Sequence, residues 1–598
     1  MRSFDMPALV VSPDNTNITD LLVDRAKKTP DLALFAKETS NGFATTSAKE
    51  FLHEVEMVAK GLIASGIQPS QAVAIMSRTR YEWTVLDFAI WYAGAVSVPI
   101  YETSSAAQME WILSNSDSVA LFAESDEHQE RFEQIKAAVP LVRLVMRFDL
   151  DCLTELKKRG KEISDTALEQ RRTAAKIGDL ATIIYTSGTT GKPKGCELAH
   201  RGFIELSKNA CLDLSDVIVE GRSTVLFLPL AHVFARFVEV LCVEGGIRVT
   251  HQPDARNVAS SLESFKPEFL LAVPRVFEKV YNSAEQKAEA GGKGDIFRKA
   301  ADVAVAWSES LDHGGPSAKL KLQHFVFDKL VYKKIRAAMG GRLQYAISGG
   351  APLGTRLGHF FRALGVIVLE GYGLTETTAP ATISRTAGIK IGKVGTPLPG
   401  TGVKIADDGE IWLRGHNIMR GYWRNEAATA EVLQDGWFAT GDIGELDEDG
   451  LLAITGRKKE LLVTAGGKNV APAVLEDPLR ANPLIGQVVV IGDAKPFIGA
   501  IVSLDSEMLP IWLANHGGDN TMSIAQAAKS PLVLAAIQKA IDEANNLVSR
   551  AESIRKFVII DAELTEASGH LTPSLKLKRN VVLKDFAWAV DEIYSTND

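Results

Sequence analysis

Residues 185–195 have the clearest potential for chemistry in this sequence. They read Tyr-Thr-Ser-Gly-Thr-Thr-Gly-Lys-Pro-Lys-Gly and follow an apolar run typical of a buried strand. The three glycines let a ligand approach the backbone closely, and the hydroxyl groups and two lysines supply donors and positive charge. The spacing is not that of a P-loop kinase, because Thr186 stands five positions before Gly191 and Pro193 follows Lys192. The segment predicts a loop that binds a polyphosphate rather than a plain surface turn.

Two further polar segments follow apolar runs, and an aspartate follows a turn. Residues 348–352 read Ser-Gly-Gly-Ala-Pro, and residues 371–376 read Gly-Tyr-Gly-Leu-Thr-Glu. Tyr372 could stack on a flat base, and Asp442, directly after a Thr-Gly turn, could accept hydrogen bonds from two neighbouring hydroxyls. Taken singly, each is more common as a surface tyrosine or a turn residue. The residues alone therefore leave the role of these segments open.

The elements that must position these segments follow from the apolar patterning. Ser47 and Glu50 form a capping box, and apolar residues at helical spacing predict a helix from about 48 to 65. Runs typical of buried strands occur at 72–76, 119–123, 141–146, 181–185, 225–228 and 269–273. With amphipathic segments between them, they predict an α/β fold of doubly wound, mostly parallel sheets. Such sheets bind ligands beyond the carboxyl ends of their strands.

The residue pattern of the sequence changes twice towards the C-terminus. From about residue 392, glycines and prolines punctuate short strands, which predicts a small β-rich unit. Another unit, of α+β type, begins near Arg457. Glycine-rich stretches between about 285 and 318 predict a flexible insertion there.

Composition narrows the class of protein. The 598 residues are 46% hydrophobic and 23% charged, which is typical of soluble globular chains with large cores. The net charge of -8 argues against nucleic acid as a partner. The four cysteines are widely spaced without a Cys-x-x-Cys pair, and no secretion signal is visible, so we expect a cytoplasmic protein.

Four segments together resemble the acyl-adenylate-forming superfamily of acyl-CoA synthetases, adenylation domains and luciferases. They are 185–195, 371–376, Thr440-Gly441-Asp442 and Gly456-Arg457-Lys458-Lys459, which occur in the family's order across most of the chain. Two more segments, 273–281 and 571–579, resemble the long-chain fatty acyl-CoA ligase branch. The resemblance implies a ligase that uses ATP, Mg²⁺ and CoA to convert a long-chain fatty acid into acyl-CoA through an acyl-adenylate.

The resemblance also implies roles for individual residues. Contacts with ATP are expected from the segment Thr186, Ser187, Gly188, Thr189, Thr190, Gly191 and Lys194, and from Gly349, Gly350, Ala351, Tyr372, Gly373, Thr375, Asp442 and Arg457. Glu376 is expected to bind Mg²⁺, and His232 to border the acyl pocket without transferring a proton. Some long-chain members place a tryptophan gate four positions after that histidine, where this chain has Arg236. Gly466 and Gly467 are expected to lie against the pantetheine arm of CoA.

The resemblance implies a chain that changes its domain arrangement between two half-reactions. We expect a large N-terminal domain at 1–456, with a β-rich subdomain at about 392–456, and a hinge at 457–461 centred on Lys459. A small mobile C-terminal domain at 462–598 would carry the catalytic lysine. Lys576 is preferred because of its spacing to Arg579, although the usual preceding glycine is Leu575 here, and Lys578 remains an alternative.

Other functions remain compatible with the same fold. One is a fatty acyl-AMP ligase that loads a carrier protein; another is a catalytically silent acyl- or nucleotide-binding regulator. Retention of Glu376, Arg457 and Lys576 favours an enzyme. A medium-chain or aryl acid ligase would differ only in pocket depth. A long-chain substrate leaves room for transient peripheral contact with a membrane, and the sequence does not indicate the oligomeric state.

Overall fold

A computed structural model describes residues 2–186, 192–572 and 576–595. The predicted phosphate-binding residues Ser187, Gly188, Thr189, Thr190 and Gly191 lie outside the described residues. The described residues form a mixed α/β fold with three sheets that contain parallel strands, a β-rich unit and a smaller α+β unit, in agreement with the predicted fold class.

The largest sheet has seven strands and comes from the N-terminal half of the chain. Its spatial order is Gly421–Tyr422, Lys194–Ala199, Leu180–Thr186, Val96–Ile100, Ala72–Met76, Ala120–Ala123 and Leu144–Arg147. The five strands from Leu180–Thr186 to Leu144–Arg147 are parallel, whereas Lys194–Ala199 runs antiparallel to its neighbours. The apolar stretch at 88–101 comprises the end of the buried helix Tyr81–Tyr92 and the core strand Val96–Ile100.

Two further sheets complete the large α/β part. The five-stranded sheet has the order Phe269–Ala272, Tyr345–Ser348, Ile367–Leu374, Ala379–Ile383 and Thr396–Pro397, of which the first three strands are parallel. The four-stranded sheet has the order Ser223–Leu226, Arg248–His251, Ala33–Thr39 and Gly42–Ser47.

The β-rich unit is a six-stranded sheet. It contains Ser3–Met6, Thr401–Ile405, Glu410–Gly415, Trp437–Leu446 and Leu433–Gln434 in that order, and Leu452–Arg457 pairs with Trp437–Leu446. Its first strand comes from the N-terminus of the chain, which the sequence patterning did not predict. Pairing between Ser3–Met6 and Thr401–Ile405 therefore ties the two ends of the large part together.

The C-terminal unit has two sheets and two apolar clusters of its own. Its strands are Leu462–Val463 with Asn469–Val470, and Ile485–Ile491, Ile498–Leu504 and Ile554–Ile559. Two clusters of buried apolar residues, one reaching from Leu462 to Ile559 and the other from Val489 to Ile593, lie within this unit. Because these cores are built from residues after 461, they support the proposed domain boundary at 457–461.

Helices cover the sheets. Those of the large part are Ile18–Lys28, Ala48–Ala64, Tyr81–Tyr92, Ala106–Asn115, Asp126–Ile135, Cys152–Arg159, Asp165–Arg172, His200–Asp213, Val233–Gly245, Val258–Phe265, Pro274–Ala290, Gly294–Leu311, Ala318–Phe327, Lys333–Ala338, Thr355–Ala363 and Glu426–Val432. Those of the C-terminal unit are Ala473–Arg480, Leu509–Asn515, Ile524–Ala527, Pro531–Asn545, Arg579–Asp585 and Ala587–Tyr594. Across the three described ranges, no helix is long and apolar enough to cross a membrane.

The prediction of a flexible insertion at about 285–318 is wrong. Most of this stretch is helical, because Pro274–Ala290 and Gly294–Leu311 are joined by a turn of only a few residues. The glycines at 291 and 292 form that turn, with Gly292 at a φ of 65°. Apolar residues at helical spacing, such as Phe297, Ala300 and Ala304, are fully or almost fully buried. Glycines therefore mark the helix ends rather than a long loop.

Candidate active site

The strands on either side of the phosphate-binding segment bring its two ends together. Thr186 is the last residue of Leu180–Thr186, and Lys194 is the first residue of the next strand. The two residues are direct partners in the antiparallel ladder, and the Thr186 hydroxyl donates to the Lys194 carbonyl oxygen at 3.4 Å. The hairpin thus holds both ends of the segment together, at the carboxyl end of the strand Leu180–Thr186 in the largest sheet.

Lys194, Tyr422 and Glu376 form one connected group beside this hairpin. The Lys194 ammonium lies 4.7 Å from the centre of the Tyr422 ring, and the Tyr422 hydroxyl donates to Glu376 Oε1 at 2.8 Å. Burial and the neighbouring carboxylate raise the pKa of Tyr422, so it stays a donor. Sequence reasoning did not single out Tyr422, because only strand pairing with Lys194–Ala199 brings it to the site.

The backbone before Glu376 turns sharply at the end of a strand. Ile367–Leu374 is followed directly by a single 3₁₀ turn, Thr375–Thr377. The Thr377 hydroxyl accepts from the Leu374 backbone N–H at 2.9 Å and fixes this turn. Gly373 is required by close packing, since a Cβ there would lie 2.1 Å from the Ala379 carbonyl oxygen. Thr375 and Glu376 are therefore held at the carboxyl end of a central strand, where the fold places ligands.

Tyr372, Asp442 and Arg457 form a second group. The Tyr372 hydroxyl donates to Asp442 Oδ2 at 2.7 Å, and Arg457 Nε lies 3.1 Å from Asp442 Oδ1. Asp442 and Arg457 are direct partners in an antiparallel ladder, and Thr440 supports the turn by accepting from the Asp442 N–H at 3.0 Å. Asp442 is nearly buried, whereas the Arg457 side chain is 45% exposed. The group presents a fixed carboxylate and a cation at the domain boundary.

Residues 349–351 lie between this strand edge and a helix. A Cβ on Gly349 would lie 3.3 Å from the Phe234 ring and 3.4 Å from the Gly371 carbonyl oxygen. Gly350 has a φ of 85°, a conformation that favours glycine. The narrow space at Gly349 shows that the predicted base-binding segments do meet, and Ala351 is exposed beside them.

His232 begins the helix Val233–Gly245. Its Nδ1 accepts from the Phe234 N–H at 3.2 Å, so the imidazole caps the helix. Burial, together with the positive charge of Lys576, lowers the pKa of His232 to about 3. The imidazole is therefore a neutral helix cap, and the absence of proton transfer by His232 stays a prediction.

Arg236, at the position where some relatives carry a gate, is locked in the core. Its guanidinium donates three hydrogen bonds to Asp87 from two nitrogens, at 2.6, 2.8 and 3.1 Å, and a further one to Thr182 Oγ1 at 2.5 Å. The rings of Trp83 and Trp91 lie 5.4 and 5.2 Å from it. Both charged groups are fully buried, and a movable gate would leave Asp87 unpaired at high cost. Arg236 therefore anchors the helix that carries His232.

Lys576 lies on the C-terminal unit within electrostatic reach of the two groups described above, and we refer to the space between Lys576, Glu376 and Asp442 as the cleft. It keeps solvent-exposed surface, yet burial of its ammonium lowers its pKa, and Arg457 adds to this effect. The pKa of Lys576 is raised in turn by three carboxylates, those of Asp442, Glu376 and Glu460. Lys576 is therefore close enough to interact with the group that contains Glu376 and with the group that contains Asp442. Its backbone N–H donates to Thr572 Oγ1 at 3.0 Å.

Lys578 and Arg579 make hydrogen bonds within the C-terminal unit. The Lys578 N–H donates to the His570 carbonyl oxygen at 2.8 Å, directly before the helix Arg579–Asp585. Arg579 pairs with Glu476 at 2.6 Å and donates to the Val490 carbonyl oxygen at 2.7 Å. The Arg579 side chain is thus held within the C-terminal unit, whereas Lys576 lies within electrostatic reach of Arg457 and Asp442.

Gly466 and Gly467 lie in an exposed turn between Leu462–Val463 and Asn469–Val470. Gly467 has a φ of 76°, and no atom lies within 4 Å of where its Cβ would be. Lys459 is an exposed residue of the 3₁₀ turn Lys458–Glu460 that joins the two units. In this arrangement only the Thr464 side chain lies within 4 Å of a Cβ placed on Gly466, and nothing lies that close to one on Gly467.

The chemistry of these groups suits Mg²⁺. Among the described residues, no set of three or more His, Cys, Asp or Glu could hold a metal. Mg²⁺ bound to nucleotides commonly takes one or two carboxylates and completes its shell with phosphate oxygens and water. The Glu376 carboxylate, fixed by Tyr422, is an oxygen donor of that kind.

Comparison with known sequences assigns both parts of the chain. Residues 22–423 match the AMP-binding enzyme family, and residues 459–598 match the AMP-binding enzyme C-terminal domain. The chain is 46% identical over 598 residues to proteins named long-chain-fatty-acid–CoA ligase FadD15 from Mycobacterium bovis and Mycobacterium tuberculosis, covering all of each chain. It is 30% identical to the long-chain-fatty-acid–CoA ligase ACSBG2 of Xenopus laevis, covering 98% of this chain and 84% of that one.

Solved structures share the fold at lower identity. The anthranilate CoA ligase AuaEII, in complex with anthranoyl-AMP, matches with a TM-score of 0.72 at 20% identity, covering 97% of this chain and 98% of that one. ATP-bound MatB from Rhodopseudomonas palustris matches with a TM-score of 0.69 at 22% identity, covering 97% and 100%. From the family match over most of its length and its full-length relatives, the chain belongs to the AMP-binding enzyme family.

Proposed function

We propose that this protein is a long-chain fatty acid:CoA ligase that uses ATP and Mg²⁺. It converts a long-chain fatty acid, ATP and CoA into acyl-CoA, AMP and pyrophosphate through an acyl-adenylate. The observation that carries the proposal is the 46% identity over the full length to proteins named as such ligases. The placement of Lys576, Glu376 and Asp442 around one cleft supports it.

In the first half-reaction, a carboxylate oxygen of the fatty acid attacks the α-phosphorus of ATP, and pyrophosphate leaves. Negative charge gathers around phosphorus, and groups aimed at that charge accelerate the step. In our proposal Lys576 approaches the reacting oxygens from the C-terminal side, while Lys194, Thr186 and Thr375 hold the phosphates. Mg²⁺ at Glu376 would supply further charge neutralisation of the phosphates.

The remainder of ATP would be held by the second group. Asp442 accepts from the ribose hydroxyls, Arg457 lies beside the ribose and α-phosphate, and the Tyr372 ring stacks on adenine opposite Gly349 and Gly350. Because Tyr372 donates to Asp442, the carboxylate is oriented before the nucleotide binds. The acyl chain would lie beyond His232.

In the second half-reaction, the CoA sulfur attacks the carbonyl carbon of the acyl-adenylate and AMP leaves. A lysine in the cleft occupies one side of the intermediate, so we propose that the C-terminal unit rotates about Lys459 and brings Gly466 and Gly467 to the pantetheine arm. Their open surroundings support this role, because an extended chain can pass close to them.

The free cysteines, three of them buried, support a reducing cytoplasm as the compartment.

The test measures both half-reactions separately across fatty acids of increasing length. Pyrophosphate release should rise with chain length into the long-chain range, and thioester should form with CoA. Thioester formation only with a holo carrier protein would identify a fatty acyl-AMP ligase instead. Binding of ATP and acid without pyrophosphate release would indicate a silent regulator and contradict the proposal.

A further inference from the structure

A helical segment on the large unit presents apolar side chains to solvent. Ala318–Phe327 runs through a π-helical turn, Asp328–Tyr332, into Lys333–Ala338. Four large apolar side chains along it are exposed to solvent: Leu322 (65%), Phe325 (57%), Val326 (43%) and Leu330 (52%). Their spacing of three and four residues places them on one side of the helix. We refer to these four residues as the apolar ridge.

The opposite side of the same segment is firmly packed. The His324 ring stacks on Trp307 with centres 4.4 Å apart, and the Tyr332 hydroxyl donates to the Ala300 carbonyl oxygen at 2.7 Å. Tyr332 and Ile335 are buried in the large unit. The apolar ridge is therefore a supported outward surface, and adjacent exposed apolar residues of this kind usually mark an interaction site.

Positive charge accompanies the apolar ridge. Residues 318–334 contain five lysines, at 319, 321, 329, 333 and 334, and a single acidic residue, Asp328. Asp328 is paired with Arg336 at 2.6 Å, so it does little to offset the lysines. Lys329 extends over the Phe325 ring, with its ammonium 4.6 Å from the ring centre. This local excess of positive charge occurs on a chain whose net charge is -8.

We propose that the apolar ridge docks this protein on an anionic phospholipid surface. An apolar helix face rimmed by lysines is the pattern of helices that lie in the membrane interface. Leu322, Phe325 and Leu330 would enter the boundary between headgroups and acyl chains, and the lysines would contact lipid phosphates while their stems cover apolar surface. The proposal builds on the proposed long-chain substrate, which partitions into membranes, but lipid binding can be measured without it.

The test measures sedimentation of the full chain with vesicles in the absence of fatty acid and ATP. Vesicles of phosphatidylcholine with phosphatidylglycerol should bind the protein, pure phosphatidylcholine should bind it less, and added salt should weaken binding. Replacing Leu322 and Phe325 together by glutamate should weaken partitioning by about tenfold or more, because apolar burial is lost and negative charge is added. The matched control replaces Leu150 and Leu547, which are 69% and 63% exposed, by glutamate and should bind as the wild type.

Three outcomes would overturn the proposal. They are failure of the wild-type chain to bind anionic vesicles, equal binding by the Leu322 and Phe325 variant, and wild-type dimerisation in size-exclusion chromatography that this variant abolishes without a change in lipid binding. The last would make the apolar ridge an interface between copies. Ligase activity on a water-soluble acid of moderate length should be unchanged in the variant, so a failure of the proposed function is recognised separately.

Discussion

The guanidinium of Arg275 lies 2.5 Å from the carboxylate of Asp505, joining the large unit to the C-terminal unit. Arg275 is on the helix Pro274–Ala290, within the segment 273–281 that resembles long-chain ligases. Asp505 is almost buried, and its other oxygen accepts from the N–H groups of Glu507 and Met508 at 3.0 Å. Nearby, Asn515 donates to Gln286 Oε1 at 2.8 Å. This contact surface holds the arrangement in which Lys576 lies in the cleft.

Replacing Arg275 by glutamine should favour other domain arrangements, because it leaves the nearly buried Asp505 carboxylate without its cation. We expect pyrophosphate release to slow by about tenfold, which corresponds to about 1.4 kcal/mol, while conversion of supplied acyl-AMP to acyl-CoA changes little. Lys279→Gln is the matched control, since its pair with Glu507 is exposed and should contribute little. Equal slowing of both half-reactions by Arg275→Gln would contradict this role.

Lys576→Ala should slow formation of acyl-AMP by roughly 10²–10³-fold, the usual scale for losing one oriented transition-state contact. Conversion of supplied acyl-AMP to acyl-CoA should be much less affected. The measurement is single-turnover kinetics of each half-reaction, with Lys578→Ala as the control because that residue directly precedes the helix Arg579–Asp585 and is the alternative lysine. A loss confined to Lys578→Ala would reverse the assignment.

Glu376→Gln keeps the size of the side chain but removes its charge, so activity should fall and more Mg²⁺ should be needed for half-maximal rate. Tyr422→Phe tests how far the position of the Glu376 carboxylate matters, because it removes only the hydroxyl that donates a hydrogen bond to Glu376. We expect a smaller rise in the Mg²⁺ requirement for Tyr422→Phe. An unchanged Mg²⁺ dependence in Glu376→Gln would exclude the metal role.

His232 should stay neutral throughout the working pH range, because burial and Lys576 lower its pKa to about 3. His232→Asn keeps a side-chain acceptor for the Phe234 N–H and should show the same shape of kcat/KM against pH. His232→Ala should lose about 1 kcal/mol of folding stability with the cap, measured by denaturant unfolding. Since the lowered pKa disfavours the protonated folded state, the contribution of His232 to stability should fall as the pH drops below about 6.5. If the fall of kcat/KM at low pH disappeared in His232→Asn, a neutral imidazole would be contradicted.

Lys459→Pro tests the proposed hinge without removing a group from the nucleotide site. Proline fixes φ near -65°, a value that suits the 3₁₀ turn at Lys458–Glu460 and resists rotation away from it. Single-turnover pyrophosphate release should stay near the wild-type rate, transfer to CoA should slow, and bound acyl-AMP should accumulate. Lys459→Ala should leave both rates unchanged. If Lys459→Pro also left both rates unchanged, rotation at this residue would be wrong.

The amino-acid sequence by itself determined the fold class, the family and most candidate residues. Buried parallel strands are short apolar runs, so Ala72–Met76 and Phe269–Ala272 were recognisable from a few neighbouring residues. The segments 371–376 and 440–442 were recognisable because a glycine turn and its polar residues are contiguous in the chain. Local patterning failed at 285–318, where glycines mark helix ends instead of a loop.

Only the tertiary structure decided which of these residues meet. Tyr422 reaches Glu376 because its short strand pairs with Lys194–Ala199, more than 200 positions earlier, and such a long-range pairing leaves no local pattern. Likewise, the sequence showed only that Arg236 stands where some members carry a tryptophan, whereas its buried pair with Asp87 was visible only in the structure. The electrostatic contact of Lys576 with Asp442 and Glu376 likewise depends on how the C-terminal unit packs on the large unit, where Arg275 pairs with Asp505. Contacts between distant segments are fixed by packing of whole elements, which residue spacing alone does not encode.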